Sequence, residues 1–71
     1  MDWKVILGKN ILRYRLVRGW TQQDVACHAD LSVRFVAGVE RGEENPSLET
    51  IIAIGDSLGA PLWQLLYPDP D

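Results

Sequence analysis

Arg34 stands two positions after Ser32, a residue type that caps helix N-termini. Its guanidinium is then carried on the first turn of a helix. A guanidinium is a planar fork that pairs with two acceptors at once, the pattern on the major-groove edge of guanine. Val33 lies between them and offers two readings, contact with a thymine methyl or half-exposed packing. Gln22 follows Thr21, another capping type, so it heads a helix whose unpaired N–H groups and dipole favour an anion such as phosphate. Cys27 and His28 are the single cysteine and single histidine of the chain. With no third group to orient them they make no catalytic set, and they cannot form a zinc site. Cys27 is read as a small core or boundary residue. No catalytic residue, metal or cofactor is expected.

These side chains need helices to position them. The segment Thr21 to Gly42, TQQDVACHADLSVRFVAGVERG, reads as two short helices joined by a tight turn. Thr21 and Asp24 have the spacing of a capping box. Val25 and Ala26 face inward, and Ala29-Asp30 is the turn. Ser32 caps the next helix, whose inward face is Leu31, Phe35 or Val36, and Val39. Gly42 ends it. Gly38 inside this helix costs about 1 kcal/mol relative to alanine, and with Ala37 it leaves a smooth face open to another surface.

Around this pair, a first helix is expected from about Val5 to Arg18, with Leu7, Ile11 and Tyr14 as its core stripe and Gly19 as its stop. A second apolar line, Val5–Leu12–Leu16, lies on another face and needs a partner. Asn45-Pro46-Ser47 is a loop and a cap. A fourth helix runs from Leu48 to Leu58, with Leu48, Ile51, Ile52, Ile54 and Leu58 apolar, and Gly59 stops it. Pro61 suits the first position of a short last helix, Pro61 to Leu66. No strand alternates convincingly. The expected fold is therefore all-α, a compact five-helix bundle forming one domain over 1–71, with its core at about 6–66 and a frayed tail at 67–71.

The 71 residues suffice for one small core, and a domain this short buries only about 60% of its unfolded surface. Marginal stability or help from dimerisation follows. The lone cysteine excludes an intrachain disulfide. The N-terminus lacks a signal-peptide pattern and no apolar run is long enough to span a membrane, so a reducing cytoplasm is the expected location.

The net charge of −3 hides an asymmetry. All seven basic residues, Lys4, Lys9, Arg13, Arg15, Arg18, Arg34 and Arg41, fall in the first 41 positions beside four acids. The last 30 positions hold six acids and no base. A basic half can approach phosphates whatever the overall isoelectric point.

Leu7-Gly8, Ile11, Arg15, Gly19-Trp20-Thr21-Gln22, Leu31-Ser32, Val39-Glu40-Arg41-Gly42, Asn45-Pro46-Ser47-Leu48 and Leu58-Gly59 occur in an order and spacing that closely resemble the Xre/Cro class of helix-turn-helix proteins, a lambda-repressor-like DNA-binding fold. That class includes phage repressors, restriction-modification controllers and antitoxins. The resemblance covers roughly positions 6 to 66 and implies that the helix from Ser32 enters the major groove while the helix from Thr21 crosses the backbone. It places Gln22 near a phosphate, Ser32, Val33 and Arg34 toward the bases, and Arg41 and Asn45 near phosphates beyond them. It also implies a buried ion pair between Arg15 and Glu40. Lys9, Arg13 and Arg18 either add phosphate contacts or belong to a solvated face. Val33, Ala37 and Gly38 are smaller or less polar than the class often shows along this helix, so specificity leans on Arg34, Ser32 and DNA shape.

One such unit reads only a few base pairs, and pairing across a two-fold axis is the usual remedy. Leu62, Trp63, Leu66 and Tyr67, with Leu65, offer material for a homodimer interface. The same segment also stands as the cover of Val5–Leu12–Leu16, within its own chain or in a partner. Asp69 and Asp71 beyond it are expected to point away from DNA. The leading function is a sequence-specific DNA-binding transcriptional regulator, a homodimer on a palindromic operator, with double-stranded DNA and the polymerase as partners. The alternative is a protein-interaction module such as an antitoxin, with a toxin as partner. An enzyme is nearly excluded, and no membrane is involved.

Overall fold

The computed structural model describes residues 2–68, and among these it contains five helices and no strand. Helix α1 spans Trp3–Val17. It begins before the expected Val5 because Asp2 caps it, its Oδ1 accepting from the Lys4 N–H at 3.0 Å. Helix α2 is Gln22–Ala29. Both bonds of its capping box form: the Asp24 N–H donates to Thr21 Oγ1 at 3.1 Å, and the Thr21 N–H donates to Asp24 Oδ2 at 2.9 Å. Asp30 makes the turn in the left-handed region, at φ 58°, which aspartate tolerates better than most side chains. Helix α3 is Val33–Glu40, capped by Ser32 through the Phe35 N–H at 3.0 Å.

Helix α4 is Leu48–Leu58, capped by Ser47 and stopped at Gly59 with φ 71°. Helix α5 is Leu62–Leu66. Pro61 sits at its N-cap in an extended conformation, one position earlier than the sequence suggests. The tail beyond Pro68, with Asp69 and Asp71, lies outside the described residues.

The core is built from Leu7, Ile11, Val25, Ala26, Val36, Val39, Ile51, Ile54, Leu58, Ala60 and Leu65. Helix α1 packs on α3, α4 and α5, while α2 packs on α3 and α4. Tyr14 closes the α1 stripe as a partly buried residue. Between the two candidates on α3, Val36 is fully buried and Phe35 packs at the edge. Gly8 allows α1 to meet the end of α3 at backbone distance, since a Cβ there would stand 2.5 Å from the Glu40 carbonyl oxygen.

Two expectations change, those for Cys27 and for Gly38. Cys27 is exposed rather than core or boundary, because Val25, Ala26 and Ala29 define the inward side of α2 and position 27 points away from them. Leu48 and Ile52 belong to the apolar run of α4, yet both are exposed, since the side of α4 facing the core is Ile51, Ile54, Gly55 and Leu58. The smooth face at Gly38 is not open. The Glu44 side chain lies across it, with Cγ 2.7 Å from where a Cβ would be.

Candidate nucleic-acid interface

The α2–turn–α3 unit is fixed by the caps of its two helices and by an ion-pair network. Arg15 meets Glu40 through two bonds, Nε to Oε2 at 2.6 Å and Nη2 to Oε1 at 3.0 Å. Its Nη1 donates to the Trp20 carbonyl at 3.2 Å. The side chains are 13% and 7% exposed. The hydrogen bond to Glu40 raises the Arg15 pKa, burial opposes this, and the charge of Glu40 adds to the rise. The guanidinium therefore stays charged. Gln22 joins the network, its Nε2 donating to Glu40 Oε1 at 3.0 Å. One carboxylate thus ties α1, the start of α2 and the end of α3 together.

That tie affects the sequence reading of Gln22. One hydrogen of its side-chain amide is given to Glu40, which holds the side chain at the head of α2 beside the backbone N–H groups there. Beyond this anchor, α3 presents its outer side. Positions 34, 37, 38 and 41 share one face at helical spacing, and Arg34 and Arg41 on it are exposed. Ser32 is exposed at the helix start. Val33 is half-buried against the core, which makes packing one of its roles. Asn45 is exposed in the following loop. Arg41 is engaged there, its Nε 3.0 Å from Glu43 Oε1 in an exposed pair.

The other cations sort differently. Arg18 donates from Nε to the Leu58 carbonyl at 3.0 Å and lies 5.0 Å over the Trp20 ring. It caps the end of α4, a role that neither sequence reading gave it. Trp20 in turn stacks on His28 at 4.5 Å, while His28 Nδ1 is 3.0 Å from the Asp24 carbonyl oxygen. The Arg18–Trp20–His28 stack was invisible in the sequence because it joins the α1–α2 connection to the far end of α2. Lys9 and Arg13 stand on the outer side of α1, where they line a shallow groove with Leu12, Leu16 and Val17. Among the described residues no group of three or more metal-ligating side chains occurs, and no helix is long and apolar enough to cross a membrane.

The C-terminal segment is latched to α1 by Asn10, a buried residue that sequence reasoning missed. Its Nδ2 lies 3.2, 2.7 and 2.9 Å from the carbonyl oxygens of Gln64, Leu65 and Tyr67. Tyr14 adds a bond from its hydroxyl to Gln64 Oε1 at 3.1 Å. Leu62 and Leu66 pack partly on the core. Trp63 and Tyr67 are 65% and 64% exposed. Val5, Leu12 and Leu16 also remain exposed, so the segment does not cover that line within its own chain. It reaches α1 on the side of Asn10 and Tyr14 instead.

Two helices meeting through a left-handed Asp30, with an exposed arginine on the second, is the arrangement that a helix-turn-helix family model matches over residues 11–62. The chain belongs to the Xre/Cro-type helix-turn-helix family. This is a family of DNA-binding transcriptional regulators, not of enzymes, and the chain is one of those regulators. It is 31% identical over 68 residues to an uncharacterized HTH-type transcriptional regulator, y4dJ, of Sinorhizobium fredii, covering 96% of this chain and 88% of that one. It is 33% identical over 66 residues to control protein C.SmaI of Serratia marcescens, covering 93% and 79% of the two chains. The crystal structure of the hypothetical transcription factor NHTF from Neisseria superposes with a TM-score of 0.91 at 33% identity, over 94% of this chain and 77% of that one. The restriction-modification controller protein C.AhdI from Aeromonas hydrophila gives 0.84 at 31% identity, over 87% and 94%.

Proposed function

We propose that this helix-turn-helix regulator acts as a cytoplasmic homodimer on a palindromic operator, with α3 in the major groove. The observation that carries the reading is the outward Arg34 on a helix whose far end is locked, through Glu40, to the start of α2. Such a lock fixes the distance between a phosphate anchor and a base reader. Arg34 pairs with a guanine edge, and Ser32 and the exposed edge of Val33 stand beside it. The N–H groups at the head of α2, starting at Gln22, take one phosphate. Arg41, released from Glu43, and Asn45 take others. Lys9 and Arg13 contribute attraction toward the duplex rather than defined contacts.

The dimer forms through α5, with Trp63 and Tyr67 as its apolar anchors and Leu62 and Leu66 behind them. Helix α4 packs against α5 and adds the exposed Leu48 and Ile52. Two protomers then read half-sites about one DNA turn apart and regulate by blocking or recruiting polymerase. Selection from random duplex DNA at a stated salt concentration tests this. The expected product is an inverted repeat with a guanine in each arm. Enrichment of no sequence would overturn it.

A second reading is an antitoxin-like module that neutralises a partner protein. The exposed groove of Leu12, Leu16 and Val17 on α1 favours it. Co-purification of one stoichiometric partner encoded beside this chain is its test.

A further inference from the structure

We propose that Glu44 reads a base, selecting a cytosine beside the position contacted by Arg34. The proposal rests on α3 lying in the major groove. On α3 the outer face runs through Arg34, Gly38 and Arg41, at helical spacing. Gly38 contributes no side chain there. The space is taken by Glu44 from the loop that follows the helix: a Cβ on residue 38 would stand 2.7 Å from Glu44 Cγ and 2.9 Å from Glu44 Oε2. The loop is folded back to this place by two features. Gly42 turns the chain at φ 76°, and the Glu43 N–H donates to the Gly38 carbonyl at 2.9 Å. A glycine that weakens the helix thus makes room for a carboxylate on the recognition face, one turn from Arg34. The neighbouring acid, Glu43, has a different task, since it pairs with Arg41.

A carboxylate accepts hydrogen bonds and donates none. In the major groove, guanine presents acceptors at N7 and O6, and thymine an acceptor at O4. Cytosine presents the N4 amino donor without an adjacent acceptor on the same base, whereas adenine places N7 beside its N6 donor. A carboxylate on this face therefore favours cytosine and is repelled by guanine and thymine. Together Arg34 and Glu44 give the helix one cationic and one anionic reader, which a helix face of alanine and glycine alone lacks.

Selection from random DNA at one fixed salt concentration, followed by competition binding, tests the proposal with the parent, Glu44→Gln, Glu44→Ala and Gly38→Ala. The parent is expected to require cytosine at one position of each arm, with about 10- to 100-fold loss on replacement. Glu44→Ala flattens that position. Glu44→Gln moves its preference toward adenine, which a glutamine amide matches. Gly38→Ala displaces the Glu44 side chain while keeping its charge, and flattens the same position, whereas the guanine read by Arg34 is retained throughout. Melting curves by circular dichroism confirm that each variant is folded. If the Glu44 variants keep the parental base pattern and merely bind all sequences more tightly, the carboxylate only repels phosphate and the proposal is wrong. If the parent enriches no sequence, the major-groove reading itself fails and this proposal goes with it.

Discussion

Gly8 on α1 faces the carbonyl oxygens of Glu40 and Val39 so closely that a Cβ would lie 2.5 and 2.6 Å from them. Neither oxygen belongs to a flexible side chain, so relief requires moving a helix. The same approach brings Arg15, two turns along α1, onto Glu40. Gly8→Ala should destabilise the fold by about 1–3 kcal/mol, the usual cost of overpacking, despite alanine's better helix propensity. Chemical denaturation checks this. Gly38→Ala is the control: its neighbour is the side chain of Glu44 rather than backbone, so stability should hold or rise.

The Arg15–Glu40 pair is a predicted weak point for single substitutions. Glu40→Ala leaves a nearly buried guanidinium without its partner and should cost about 3–5 kcal/mol. The double variant Arg15→Met/Glu40→Leu should recover most of that loss in a melting experiment. It should still bind DNA more weakly, because Gln22 loses its anchor. The Arg15 pKa is raised on folding, so its contribution is complete below the free guanidinium pKa and lost only in strong alkali. Stability should therefore show no dependence on this group near neutral pH.

Asn10 controls the attachment of α5. It satisfies carbonyls at the end of that helix, which has no room for a further turn. Asn10→Ala should cost about 1–3 kcal/mol through the unpaired acceptors. Asn10→Asp should be worse, since a carboxylate would face three carbonyl oxygens. Denaturation curves give the ranking, and hydrogen exchange should localise the loosening to Leu62–Leu66.

Much of the fold was legible because its signals are local. Thr21, Ser32 and Ser47 cap where their types and spacing suggest, and Gly19, Gly42 and Gly59 all adopt the positive φ of helix stops. The Arg15–Glu40 pair came through the family resemblance and is present. What escaped depends on contacts between segments far apart in sequence. The Asn10 bonds span more than fifty residues, and no local pattern marks a buried asparagine as a cap for another helix. Leu48 and Ile52 are apolar yet exposed, since apolar type does not say which side of α4 meets the core. Glu44 lying on Gly38 was hidden because it depends on how the chain folds back after Gly42, and it changes how bare the outer face of α3 is.

The proposed dimer separates association from folding. Trp63 and Tyr67 are exposed in the monomer, so replacing either with alanine should change monomer stability by no more than about 0.5 kcal/mol. Association should weaken at least tenfold, as expected for an aromatic anchor. Sedimentation at several concentrations measures this. A parent that stays monomeric at all of them would contradict the α5 interface.

The proposed function requires α3 to present Arg34 to the edge of a base pair. Binding of the parent and of Arg34→Ala to the selected operator, and to its single-base substitutions at one salt concentration, tests it most directly. The variant should lose about 10- to 100-fold on the operator and no longer distinguish bases at one position of each half-site, with the remaining positions unchanged. Equal affinity and an equal base pattern in the two proteins would contradict it.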